Sequence, residues 1–152
     1  MLIIRYRKNC TETRYYYDRV DLNEDGTEEI LAVVVGEYTE CDGGDPAVIL
    51  EQNAQGYQVL ESFAYVRTPV YVSDAMSDGW HDLIFPAHGG EEGTGFRGFH
   101  YQDSVGYQNA NMEFMDDMDE NFCGRRIIAD NFIDDMDKGN YLTLREPPLS
   151  GN

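Results

Sequence analysis

"VDLNEDGTEEILAVVV", residues 20–35, crowds five acidic side chains and a glycine into the nine positions from Asp21 to Glu29 and then turns abruptly apolar. The apolar half continues to Tyr38 as "ILAVVVGEY", a nearly unbroken hydrophobic run of the kind a central strand carries when both its faces are covered. Upstream, "LIIRYR" (2–7) and "TRYYYDRV" (13–20) are rich in β-branched and aromatic residues, which fit a pleated, half-buried surface, and both read as strands. Downstream, "AVILEQ" (47–52) and "YQVLESFAYV" (57–66) flank "NAQG", whose Asn53 and Gly56 are turn formers, predicting a hairpin.

The pattern goes on in the same way. "PVYVSD" (69–74) and "WHDLIFPA" (80–87) read as strands on either side of a polar Asp/Gly turn, "HGGEEGTG" (88–95) as loop, and "FRGFHYQ" (96–102) as a further alternating strand. Near the end, "RRIIADNFIDDMDKGN" spaces Ile128, Phe132 and Met136 by four, with Lys138 and Gly139 as a stop, which predicts a short helix before a last strand, "YLTL" (141–144). Seven or so strands, one or two short helices near the C-terminus and no alternating strand–helix rhythm predict a mostly β fold, all-β or α+β, built of antiparallel sheets. A length of 152 residues suits one domain, 1–152, with a core that needs no disulfides.

Composition narrows the partners. Lys and Arg number 11 against 29 Asp and Glu, a formal charge of −18, which repels phosphate backbones and anionic headgroups and so disfavours nucleic acid and membrane surfaces. With 41% hydrophobic and 12% aromatic residues the acidity does not signal disorder. It suits cations, either metal ions or a basic partner, where carboxylates cluster. Cys10, Cys41 and Cys123 form no CxxC pair, which argues against a zinc knuckle or a thioredoxin-type site and leaves one disulfide or three thiols open. The N-terminal "MLIIRYRKNC" has only three consecutive apolar residues after Met1, Leu2 to Ile4, and nothing later approaches a membrane span, so the expectation is a cytoplasmic chain or one whose export signal has been removed, with no membrane insertion by this chain.

The acidic half of the opening stretch answers why charge gathers beside a strand. Oxygen donors recur at alternate positions, Asp21, Asn23 and Asp25, followed by Gly26, the Thr27 carbonyl and Glu29 at the ninth place. Calcium takes six to eight oxygens, and a loop that offers one every second residue while curling at a glycine wraps the ion unaided. An EF-hand is excluded, since its twelfth-position glutamate leads into a helix, and here that position is Ala32 in a strand-like run. The competing reading is a metal-free polar turn whose Asp and Asn side chains cap backbone N–H groups.

"DAMSDGWHDLIF" (74–85) repeats the layout: Asp74 matches Asp21, Asp78 matches Asp25, Gly79 matches Gly26 and Asp82 matches Glu29, while Met76 replaces Asn23 and deletes one donor. Units at about 15–38 and 69–87 therefore read as a degenerate duplicated strand–loop–strand element.

The D-x-[DN]-x-D-G-x-x-[DE] pattern followed by a hydrophobic strand resembles the calcium-type loop of FG-GAP and VCBS-like β-repeat proteins. The run from Tyr15 to Ala87 is similar to a group of uncharacterised bacterial proteins, many of them exported or lipid-anchored. The resemblance implies Asp21, Asn23, Asp25, Thr27 through its carbonyl, and Glu29 as calcium ligands, and an extracytoplasmic or cell-surface location.

Other constellations carry less. His81, His88 and His100, with Asp82, Glu91 and Glu92 nearby, match no metal or hydrolase spacing. Trp80 reads as core. Tyr15 and Tyr17 fall on one face of their strand and Tyr16 on the other. "FMDDMD" (114–119) and "FIDDMD" (132–137) read as solvated faces of short helical turns.

Three functions follow as expectations. The first is a non-enzymatic calcium-binding module, probing an unknown protein or carbohydrate ligand, in which calcium is structural. The second is a small hydrolase or carbohydrate-active enzyme using His81 or His88 with a carboxylate. The third is an acidic interaction or inhibitor protein using Asp116 to Glu120 and Asp134 to Asp137.

Overall fold

The structure is a computed structural model that describes residues 13–36, 45–87, 93–128 and 142–144. Ten strands are found among them: β1 (Thr13–Val20), β2 (Glu29–Gly36), β3 (Asp45–Asn53), β4 (Gly56–Val66), β5 (Val70–Ser77), β6 (Trp80–Ala87), β7 (Gly95–Gln102), β8 (Gly106–Met115), β9 (Gly124–Ile127) and β10 (Leu142–Leu144). They form two antiparallel five-stranded sheets, ordered β10-β1-β2-β3-β4 and β8-β7-β6-β5-β9, so the fold is all-β over the described residues. The predicted strand at 2–7 lies outside them.

Both sheets close over one core. Leu31, Ala32, Val33 and Val34 are all buried, which is why the apolar run of β2 shows no alternation: it is covered on both sides. Phe63 of the first sheet meets Phe85 and Phe99 of the second edge to face, with centroids 5.1 and 5.3 Å apart, so the sheets are keyed together by aromatic rings. On β1 the alternation holds: Tyr16 is buried against the core side while Tyr17 stands exposed. Trp80 is packed against the core and stacked on Tyr101 at 4.7 Å.

The C-terminal helix is corrected in its described part. Arg125 to Ile127 are extended in β9, where Val70 pairs with Ile127 and Ser73 with Gly124. Burying Ile127 on the open edge of β5 while satisfying that strand's backbone groups outweighs a weak four-residue spacing. Phe132 and Met136 lie outside the described residues. The helical turn expected at 114–119 is also absent, because Phe114 and Met115 complete β8 against Arg97 and Phe96.

Candidate functional site

The acidic loop lies between β1 and β2 at one end of the first sheet. Its anchor is Leu22, whose side chain is fully buried in the shared core although it stands between two polar residues. The Leu22 N–H donates to the Glu29 carboxylate at 2.8 Å, and its carbonyl accepts the His81 N–H of β6 at 2.8 Å. The loop is thus tied to its own far end and to the other sheet.

The remaining polar side chains turn inward on the loop's own backbone. Asp21 accepts the N–H groups of Asp25 at 3.2 Å and of Gly26 at 2.8 Å, one on each carboxylate oxygen. Asn23 Oδ1 accepts the Asp25 N–H at 3.2 Å, and Asp25 Oδ1 accepts the Thr27 N–H at 2.7 Å; both are Asx turns. Gly26 at φ 88° supplies the left-handed step that lets the chain curl back, and Glu24 at φ 59° adds a second one.

Glu29 is 2% exposed. Burial pushes its carboxyl above the ordinary range, and repulsion from Asp25 and Asp21 pushes the same way, against the lowering effect of the Leu22 N–H. Four of the five residues expected to ligate calcium, Asp21, Asn23, Asp25 and Glu29, are therefore brought into one hydrogen-bonded loop, with Thr27 exposed on it and donating its N–H to Asp25.

The donor set is all hard oxygen, which fits calcium better than a transition ion. An ionised carboxylate has about four lone-pair sites, so the one N–H on each Asp21 oxygen leaves acceptor capacity unused. Among the described residues, however, no group of three or more His, Cys, Asp or Glu side chains comes together as a ready cage. The loop closes through its own N–H groups.

The second acidic segment takes another form. Ser77 pairs with Trp80 across a two-residue turn in which Asp78 (φ 45°) and Gly79 (φ 85°) are both left-handed, as a type I′ hairpin requires. Asp74 stays in β5, its N–H given to the Cys123 carbonyl, and Asp78 accepts the Asp103 N–H. Asp82 is 9% exposed and accepts the Ser77 hydroxyl at 2.7 Å.

The histidines divide. Both nitrogens of His81 are engaged, Nδ1 with the Ser73 carbonyl at 2.6 Å and Nε2 with Glu24 at 3.1 Å, so this ring links the hairpin to the acidic loop. His88, Glu91 and Glu92 lie outside the described residues. His100 sits with Asp82 at 3.0 Å and Glu113 at 3.5 Å. Linear spacing missed this grouping, because its members come from three strands that only sheet pairing makes neighbours. Ser77 Oγ donates to Asp82 at 2.7 Å and lies 3.5 Å from His100 Nδ1.

Asp116, Asp117, Asp119 and Glu120 stand exposed after β8, with Asp119 accepting the Asn121 N–H; 134–137 lie outside the described residues. Cys123 is exposed and free. No helix among the described residues is long and apolar enough to cross a membrane. Comparison with protein-family profiles, with curated proteins and with solved structures finds no match.

Proposed function

We propose that this domain is a non-enzymatic, calcium-binding module of the cell surface or extracytoplasmic space, in which calcium is structural and rigidifies the Asp21–Glu29 loop. The reading rests on one observation: backbone N–H groups gather the carboxylates of Asp21, Asp25 and the buried Glu29 into one loop, where burial first, and then the charges of Asp25 and Asp21, push the Glu29 carboxyl up. A divalent cation coordinated by Asp21, Asn23, Asp25, the Thr27 carbonyl and Glu29 relieves that repulsion. Affinity in the range of extracellular modules, about 10⁻⁴ to 10⁻³ M, matches a loop that also closes without the ion and ties metal use to an extracytoplasmic location.

What the module holds is a protein or carbohydrate ligand. Tyr17 and Tyr57 are exposed beside Arg19, which hydrogen-bonds Tyr57, and together they offer ring faces and a cation on the first sheet. The hydrolase reading loses His81, whose two ring nitrogens are spent on structure.

Calorimetric titration of the chelator-stripped protein with calcium tests the proposal, with Asp21→Ala and Asp25→Ala as controls. Saturable binding lost in both variants is the expected result. Absence of heat and of any thermal shift at millimolar calcium reduces the loop to a self-capped polar turn.

A further inference from the structure

In a chain with a formal charge of −18, the residues from Asn53 to Leu60, "NAQGYQVL", carry no charge at all, and Asn53 to Val59 are exposed. They form the β3–β4 turn and the first part of β4, a strand that pairs on one side only, with β3, among the described residues. Tyr57, Val59 and Tyr65, half of the large hydrophobic side chains exposed among the described residues, all lie on β4. The other sheet edges are blunted by short length, charge or capping, as edges open to water usually are. β10 is three residues long, β9 carries Arg125 and Arg126, and β8 gives its Tyr107 N–H to the Glu61 carboxylate.

The same carboxylate caps the far part of β4, accepting the Ser62 N–H at 3.2 Å. The near part turns its main chain outward. Asn53 and Gly56 close a two-residue turn as a hydrogen-bonded pair, and antiparallel pairs alternate, so the main-chain groups of Tyr57 and Val59 point away from β3. We infer that this edge pairs with the same edge of a second copy, antiparallel about a two-fold axis at Gln58, joining the two β10-β1-β2-β3-β4 sheets into one. At that register Tyr57 exchanges main-chain bonds with Val59 of the partner subunit and Val59 with Tyr57 of the partner subunit, and each aromatic ring lies beside a β-branched side chain.

Charge decides the occupant. A basic partner is drawn to carboxylates, and the stretch from Asn53 to Leu60 offers none, while Glu51 on the neighbouring strand is already hydrogen-bonded by Gln58. The complement of an uncharged edge is another uncharged edge. The two-fold register supplies one, and it sets Glu61 opposite Gln55 of the partner subunit instead of against a like charge. Away from this edge two chains of −18 repel, and the paired length is short, so the association is weak and is favoured by salt that screens the repulsion. The contact does not involve the Asp21–Glu29 loop and so stands apart from calcium.

The test is sedimentation equilibrium of the full chain over a range of concentrations, at low salt and at about 1 M salt, where the screening length is about 3 Å. A monomer–dimer equilibrium that shifts toward dimer with salt is expected, and amide exchange at Tyr57 and Val59 should slow as concentration rises. Gln58→Glu and Gln58→Lys each set like charges face to face across the axis and should each lose the dimer, while an equimolar mixture of the two regains it. If Gln58→Glu fails to fold beside Glu51, Val59→Pro, which removes an N–H that β3 does not use, reads the same loss. A monomer at every concentration and salt overturns the inference, and so does a dimer that both Gln58 variants keep, which would place the contact elsewhere. Slow exchange at Tyr57 and Val59 that dilution leaves unchanged also overturns it, since another part of the same chain would then pair with β4.

Discussion

The segments Asp21–Glu29 and Asp74–Asp82 share an Asp, an Asp-Gly pair and an acid before an apolar strand, yet one folds as an open loop and the other as a two-residue hairpin. The difference begins at the second residue. Leu22 has a large apolar side chain that the core takes in completely, and pulling it inward lifts the neighbouring chain off the sheet. Its counterpart Ala75 is exposed and has little to bury, so Asp74 to Ser77 remain in β5 until Asp78 and Gly79 reverse the chain. Both segments end in a buried carboxylate. Glu29 gives its acceptor oxygen to the loop backbone, whereas Asp82 gives both of its oxygens to side chains, Ser77 and His100. A shared acidic pattern thus serves backbone closure in one place and a polar row in the other.

The comparison breaks most visibly at Leu22. Leu22→Ala should cost about 2–5 kcal/mol by urea unfolding, since it opens a cavity in the shared core and loosens the residue whose carbonyl takes the His81 N–H. Next in size come the two glycines. A Cβ added at Gly26 or Gly79 meets nothing within 4 Å, so Gly26→Ala and Gly79→Ala should each cost about 1–2 kcal/mol through left-handed backbone alone, with Asn at either site recovering part of it. Unequal losses, measured by the same unfolding assay, would show that loop and hairpin use the turn differently.

The smallest effect is a slope. The Glu29 carboxyl is raised in the folded state, so the folded protein keeps a proton that the unfolded chain has released. Stability relative to Glu29→Gln should therefore fall as pH rises from the ordinary carboxylate range through the higher folded-state value, and calcium should flatten the fall. Thermal unfolding of both proteins across mildly acidic pH checks it. Parallel curves would mean that burial and the loop's charges do not raise the Glu29 carboxyl.

Much of the strand pattern was legible in the residues. Aromatic and β-branched density placed β1 at Thr13–Val20, and "NAQG" placed the β3–β4 hairpin, where Asn53 accepts the Gln55 N–H. β8 was missed because "GYQNANMEFM" has no apolar alternation; pairing with β7 makes it a strand. β9 was missed because its extended form is dictated by the open edge of β5.

Of the candidate sites, the Asp21–Glu29 loop was readable because its residues act on one another within nine positions. The row of Ser77, Asp82, His100 and Glu113 was not, since its members are up to 36 positions apart in the chain (113 − 77).

The sequence by itself determined that the chain is acidic, strand-forming and turned at Gly26, Gly56 and Gly79, because charge, β-branching and left-handed backbone are local properties. Tertiary structure alone decided which acidic segment opens into a loop, which histidine lies between two carboxylates, and which apolar residues share a core. Those outcomes depend on what lies across a sheet or between sheets, and burial and pairing there outweigh any preference the neighbouring residues express.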